Sequence, residues 1–152
     1  MTCYFDTSAL LKLYVEEPGS ELVKACTRES YMVATSRVAY AEARAAFARA
    51  WHEEMLGDQE YLEVVSNFKE EWPSFFSLNV SDSVLQRVDV LIDKYSLRGF
   101  DVLHLASTFV LSRQNEGEKL LVGCWDARLC CYRHEGFSLL PEERPGKADY
   151  SL

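Results

Sequence analysis

The sequence predicts an α/β fold with a mostly parallel five-stranded sheet. Three observations point to it. Short apolar runs alternate with longer segments of helical periodicity, the order expected of βαβ units. Two of these runs finish at or beside an aspartate, Asp6 and Asp126, which suits strands that deliver polar groups to the carboxyl edge of a parallel sheet. The 152 residues, 48% of them hydrophobic, suit one domain with a real core, and neither a repeat nor a linker interrupts them.

The elements follow in order. "TCYFD" is a short apolar strand closing on Asp6, and "TSALLKLYVEE" is a helix stopped by Pro18-Gly19. Ser20 to Arg28 is a second helix with Leu22, Val23 and Cys26 turned inward. "YMVATS" is the second strand, and Ser36 caps a long helix through His52. Gly57-Asp58 breaks the pattern. Tyr61, Val65, Phe68 and Trp72 then recur at helical spacing until Pro73. Phe76, Leu78 and Val80 alternate as a third strand. Ser81 or Asp82 caps an amphipathic helix with Val84, Leu85, Val88, Leu91, Ile92 and Tyr95 on one face. "RGFDVLHLA" opens a helix that reaches Arg113, "KLLVGC" is the fourth strand and "FSLL" the fifth. Residues 1–140 are expected to form the domain, and 141–152, with Pro141 and Pro145, an extended tail.

The formal charge of −8 argues against a broad basic face that grips nucleic acid. It leaves room for a nuclease with a few local arginines and a metal, and it suits a basic partner. No apolar run is long enough to span a membrane, and "MTCYFD" lacks the regions of a signal peptide, so a cytoplasmic location is expected. The five cysteines are odd in number and form no C-x-x-C pair. Cys3 and Cys124 are expected as small core residues. Cys130-Cys131 has no further Cys or His at ligand spacing, so zinc is not expected.

Four acids stand in awkward places. Asp6 closes the first strand, and Asp126 lies just past the fourth. Glu42 has Val38, Ala39, Ala45 and Ala46 one turn away, without the Lys or Arg at i±4 that accompanies a solvated helical glutamate. Asp101 opens an apolar helix. Singly, each is a helix cap, a dipole acid or a surface carboxylate. Jointly, converging carboxylates repel by roughly 4 kcal/mol per pair at 4 Å and an effective dielectric near 20. Such a cluster implies a cation, and hard oxygen ligands select Mg²⁺ or Mn²⁺.

"YFDTSALLKLYVEEPGSE", an isolated glutamate on the helix after strand two, "LRGFDVLHLA" and "LLVGCWDARL" occur in the order and spacing of the PIN-domain ribonucleases. The chain resembles most the VapC-type toxins of toxin–antitoxin pairs, from Asp6 to Leu140. The resemblance implies a three-layer α/β/α fold with strand order 3-2-1-4-5. It carries the family's acidic cluster onto Asp6, Glu42, Asp101 and Asp126, and its supporting hydroxyl onto Ser8, with Thr7 beside it. Cys124 departs from the pattern, which often has Thr or Ser there. His104, at i+3 from Asp101, invites an Asp-x-x-His metal site, but no second such motif exists, and a structural histidine is expected.

The function so implied is metal-dependent hydrolysis of RNA, leaving a 5′-phosphate and a 3′-hydroxyl. Asp6, Asp101 and Asp126 would hold Mg²⁺ or Mn²⁺. Glu42 would bind through water, hold a second ion or act as base. Arg98 and Arg128, close in sequence to the acids, are candidate phosphate contacts, and solvated surface arginines otherwise. The implied partners are RNA, an antitoxin protein and a second copy of the chain. The apolar circumference of the helix after Ser36, with that near Tyr61 and Trp72, is either an interface or one core. Two other readings compete. A receiver-type phosphoacceptor would need paired acids at the first strand and a lysine after the last, which are missing. An inactive PIN-like binding module would not need the full acidic set.

Overall fold

The computed structural model describes residues 1–143. Five strands, β1 (Thr2–Phe5), β2 (Met32–Ser36), β3 (Phe76–Leu78), β4 (Leu120–Gly123) and β5 (Ser138–Leu140), form one sheet in the order β3-β2-β1-β4-β5. Every pairing is parallel. The expected strand order is therefore the observed one. Pro145 and the end of the expected tail lie outside the described residues.

Alternation along β1 splits the core in two. Cys3 and Phe5 face α1 (Thr7–Leu10), α2 (Ser20–Glu29), α3 (Val38–His52) and α4 (Asp58–Glu71). Tyr4 faces the other way, into a core with α5 (Asp82–Lys94), α6 (Gly99–Gln114) and α7 (Leu129–His134). These are the three layers of an α/β/α fold. Thr2, Cys3, Tyr4 and Phe5 are all buried, as a central strand covered on both faces must be.

Several local expectations are corrected. The helix expected over "TSALLKLYVEE" stops early: α1 has four residues and a single tight turn, Leu11–Leu13, follows. Lys12 explains the stop. Its side chain is fully buried, donates to Pro18 O at 2.8 Å and pairs with Glu17 Oε1 at 3.3 Å. Those bonds fold residues 14–18 back over the turn rather than along a helix axis. Leu22, expected inward, is exposed, as are Leu85 and Ile92 of the stripe on α5. Only Val84 and Leu91 of that stripe are fully buried, with Val88 and Tyr95 packed against them. Cys3 is not a free core thiol, since it forms a disulfide with Cys26 that ties β1 to α2.

The apolar face of α3 resolves as core. Ala39, Ala43, Ala46, Phe47 and Ala50 are buried, and Tyr40 packs with Phe68 and Trp72. Phe68 is the one fully buried residue that α4 contributes, with ring centroids of Tyr14, Tyr40, Phe47 and Trp72 at 5.3, 5.3, 5.6 and 5.5 Å. Among the described residues, no helix is long and apolar enough to cross a membrane.

Candidate active site

The register of the sheet brings the first and fourth acids together. Phe5 pairs with Gly123, so Asp6 and Cys124 leave adjacent strands side by side. The Asp6 N–H donates to Gly123 O at 3.1 Å. The chain order turns outward in opposite directions from β1, toward β2 on one side and β4 on the other. That is the switch point at which ligands bind in open parallel sheets.

Asp6 is 2% exposed. Its Oδ1 accepts from Ser8 Oγ at 2.6 Å and from the Ala9 N–H at 3.1 Å, so it caps α1. Ser8 Oγ in turn accepts from the Trp125 N–H at 2.7 Å. One hydroxyl thus fixes the first acid and the loop that carries the fourth. Trp125 is buried, with the Lys12 ammonium 5.4 Å from its ring centroid. Gly19, at φ +92°, passes so close that a Cβ there would stand 2.4 Å from Trp125 Nε1. Only glycine meets both conditions without strain.

Asp126 accepts at Oδ1 from the Arg128 N–H at 2.8 Å and from the Cys124 thiol at 3.4 Å. The Arg128 guanidinium bridges Asp101 and Asp126: Nη1 contacts Asp101 Oδ1, and Nη2 contacts Asp126 Oδ2. Burial lowers the Arg128 pKa, but the charges of Asp6 and Asp101 outweigh it and raise the pKa above the ordinary value. The arginine stays cationic.

Glu42 sits apart, in a second network. Its Oε1 accepts from Thr7 Oγ1 at 2.7 Å and lies 2.7 Å from His104 Nε2. The carboxylate only accepts, so Nε2 carries a proton, and the Tyr4 hydroxyl lies 2.8 Å from Nδ1. His104 is thereby a structural residue that orients Glu42. Burial raises the Glu42 pKa. The hydrogen bond and charge of His104, with Thr7 and Arg128, more than reverse this, and the net shift is downward.

A pH test follows from this shift. A carboxyl whose folded pKa is depressed adds stability above its unfolded pKa, near the ordinary 4.5, and loses it as pH falls through the folded value. Glu42→Gln should therefore melt below the wild type near pH 6, and the gap should narrow as the pH falls below the ordinary 4.5. Thermal melts across that range check it, and a gap independent of pH would remove the ionic role.

Among the described residues, the ligand atoms of Asp6, Cys124 and Asp126 lie within 4.8 Å of one another. Two oxygens on one Mg²⁺ at about 2.1 Å stand at most about 4.2 Å apart, so the two carboxylates are placed to hold a divalent cation with little movement. Asp101 and Glu42 lie outside this group; Asp101 joins it through Arg128, and Glu42 approaches through Thr7. A groove of about 510 Å³ opens beside the acids, with Glu42, Arg49, Phe100, Asp126 and Arg128 among its lining. A second opening adjoins it, with Arg98, Asp101 and Arg128 on its wall. Arg49 and the half-exposed Phe100 are rim residues that sequence reasoning missed. Phe100 stands directly before Asp101, and that adjacency was the available signal.

No protein-family model matches the chain. Curated relatives do. The chain is 33% identical over 126 residues to Ribonuclease VapC45 and Ribonuclease VapC49 of Mycobacterium tuberculosis, covering 83% of this chain and 85% of each relative. The chain belongs to the VapC family. Solved structures share the VapC fold. FitAcB from Neisseria gonorrhoeae matches with a TM-score of 0.64 at 17% identity, over 90% of this chain and 95% of that one. VapBC2 from Rickettsia felis, bound to a promoter DNA fragment, matches with a TM-score of 0.62 at 11% identity, over 96% of this chain and all of that one.

For a VapC chain, Cys124 is the departure, and the geometry shows how it is accommodated. Burial, and then the charge of Asp6, push its pKa well above the ordinary thiol value. The sulfur stays protonated and donates to Asp126, doing with S–H what a hydroxyl would do there.

Proposed function

We propose that the chain is a metal-dependent endoribonuclease and the toxin of a toxin–antitoxin pair. The observation that carries this reading is the meeting of Asp6 and Asp126 at the sheet's switch point, with Asp101 tied to them by Arg128, in a chain of the VapC family. Asp6, Asp126 and Asp101 would hold Mg²⁺ or Mn²⁺. A bound ion supplies Lewis-acid stabilisation of phosphoryl charge and a water of lowered pKa.

The chain's own residues do the rest. Ser8 holds Asp6 and the Trp125 backbone in one geometry, so both strand ends move as a unit. Glu42, kept ionised and aimed by His104 and Thr7, serves as the proton acceptor at the groove. Arg98 and Arg128, which line the groove walls, would contact a phosphate. Phe100 offers an exposed ring on the same rim for a base to stack on.

The domain spans residues 1–140 in this reading. An antitoxin is the proposed protein partner, since a toxin–antitoxin complex from Klebsiella pneumoniae and VapBC-5 of Mycobacterium tuberculosis, a member of the VapBC family of toxin–antitoxin systems, share this fold. A homodimer is also proposed, with Leu85, Val90 and Ile92 as exposed apolar residues on α5 available to an interface.

The test is cleavage of structured RNA by purified protein with Mn²⁺, with Mg²⁺ and with EDTA. Cutting that requires the ion supports the reading. Intact RNA in every tube, from folded protein, would make the chain an inactive binding module.

A further inference from the structure

The acidic cluster is closed by a cation that belongs to the chain itself. Arg128 reaches Asp101 on α6 and Asp126 on the loop after β4 with separate guanidinium nitrogens. Its backbone N–H also donates to Asp126 Oδ1. The arginine therefore lies over the carboxylate oxygens that a divalent ion would take. Its side chain is 32% exposed, and it lines both openings of the groove. It has room to leave the acids without leaving the site.

We propose that Arg128 is a resident counter-ion that competes with the divalent metal for Asp101 and Asp126. Metal entry displaces its guanidinium into the groove, where the same fork of donors meets a phosphate. The proposal rests on the metal-dependent reading above. A divalent cation and a guanidinium held on the same oxygens repel each other at contact distance, so each weakens the other's hold. The backbone bond from Arg128 N–H to Asp126 is independent of the side chain, so the pivot stays anchored while the guanidinium swings. Metal and RNA binding are then linked through one residue. The ion frees the phosphate contact, and without the ion the acids hold it back.

The linkage predicts an unusual sign. Loss of a residue that supports a metal site normally weakens metal binding. Loss of Arg128 should strengthen it. The scale is that of a partly exposed ion pair, about fivefold in the dissociation constant. Isothermal titration of Mn²⁺ alone into metal-free wild type, Arg128→Gln and Arg128→Lys is the experiment. Arg128→Gln should bind about fivefold more tightly, while Arg128→Lys, which keeps a competing charge, should stay near the wild type. Arg128→Gln should also bind single-stranded RNA more weakly than wild type in Ca²⁺.

A second measurement reads the wild type directly. The Arg128 Nε–H resonance of the wild type, assigned by its loss in Arg128→Lys, should shift as diamagnetic Mg²⁺ saturates the site. Equal or weaker Mn²⁺ binding by Arg128→Gln, or an Arg128 resonance that ignores saturating Mg²⁺, would overturn the proposal while leaving the metal reading intact. Failure of the wild type itself to bind Mn²⁺ would overturn both.

Discussion

Asp6→Asn should lower RNA cleavage at least about 100-fold while leaving the fold intact. Loss of an outer partner of a metal ligand typically costs 10–100-fold, and loss of a direct carboxylate ligand should exceed that. The fold should survive because the amide oxygen can still accept from the Ala9 N–H and Ser8 Oγ, and asparagine caps a helix as well as aspartate. The melting temperature in EDTA should therefore sit within a few degrees of the wild type. Wild-type turnover by the folded variant would remove Asp6 from the site. Asp101→Asn should also abolish cleavage, but by a different route to a different stability. Four bare carboxylates would be relieved by losing a charge. Here Asp101 is paired with Arg128, so in EDTA the variant should gain nothing.

Phe68→Ala should have the largest effect on stability. The ring is fully buried, and it is the point at which α4 meets α3 and the turn after α1. Removing a buried phenyl ring costs about 3–5 kcal/mol. At about 2–4 °C per kcal/mol for a chain of this size, the melting temperature should fall by roughly 10 °C. Phe68→Leu, which keeps most of the volume, should cost less than about 1.5 kcal/mol. A loss below about 3 °C for the alanine variant would mean that α4 collapses onto the gap, and that its docking does not depend on this ring.

Much of the fold was legible because it is written in periodicity. Every strand corresponds to a short apolar run, the third an alternating one, α4 and α5 to runs that recur at helical spacing, and Ser81 caps α5 as expected, accepting from the Val84 N–H. Strand order is another matter. It came from family resemblance, since periodicity says which face is apolar but not which neighbour covers it. The same limit explains Leu85 and Ile92. They lie on the apolar stripe of α5, but that helix forms an outer layer and buries only a narrow strip, so its flanks stay in solvent.

The acids were visible singly, as charges in apolar company. Their cross-links were not. Tyr4 and His104 meet across 100 positions, and Arg128 reaches back 27 to Asp101. Such contacts exist only once the sheet has brought strand ends together. Lys12 shows the cost of reading helices from composition alone: a lysine in a helical run looks solvated, and this one is buried and stops the helix.

The close passage of Gly19 beneath Trp125 has a consequence for how this chain can diverge. A side chain at position 19 would meet the indole ring at once, and its positive φ disfavours any L residue even in open space. The two positions are therefore locked in evolutionary step. While position 125 keeps a wide ring, position 19 is confined to glycine, and drift at 19 must wait for a smaller residue at 125. Because Asp126 is the next residue, that smaller ring would also loosen the fourth acid. Among close relatives, a residue other than glycine at 19 should appear only where 125 is smaller than tryptophan, and chains that vary both should have rebuilt the packing beneath the loop.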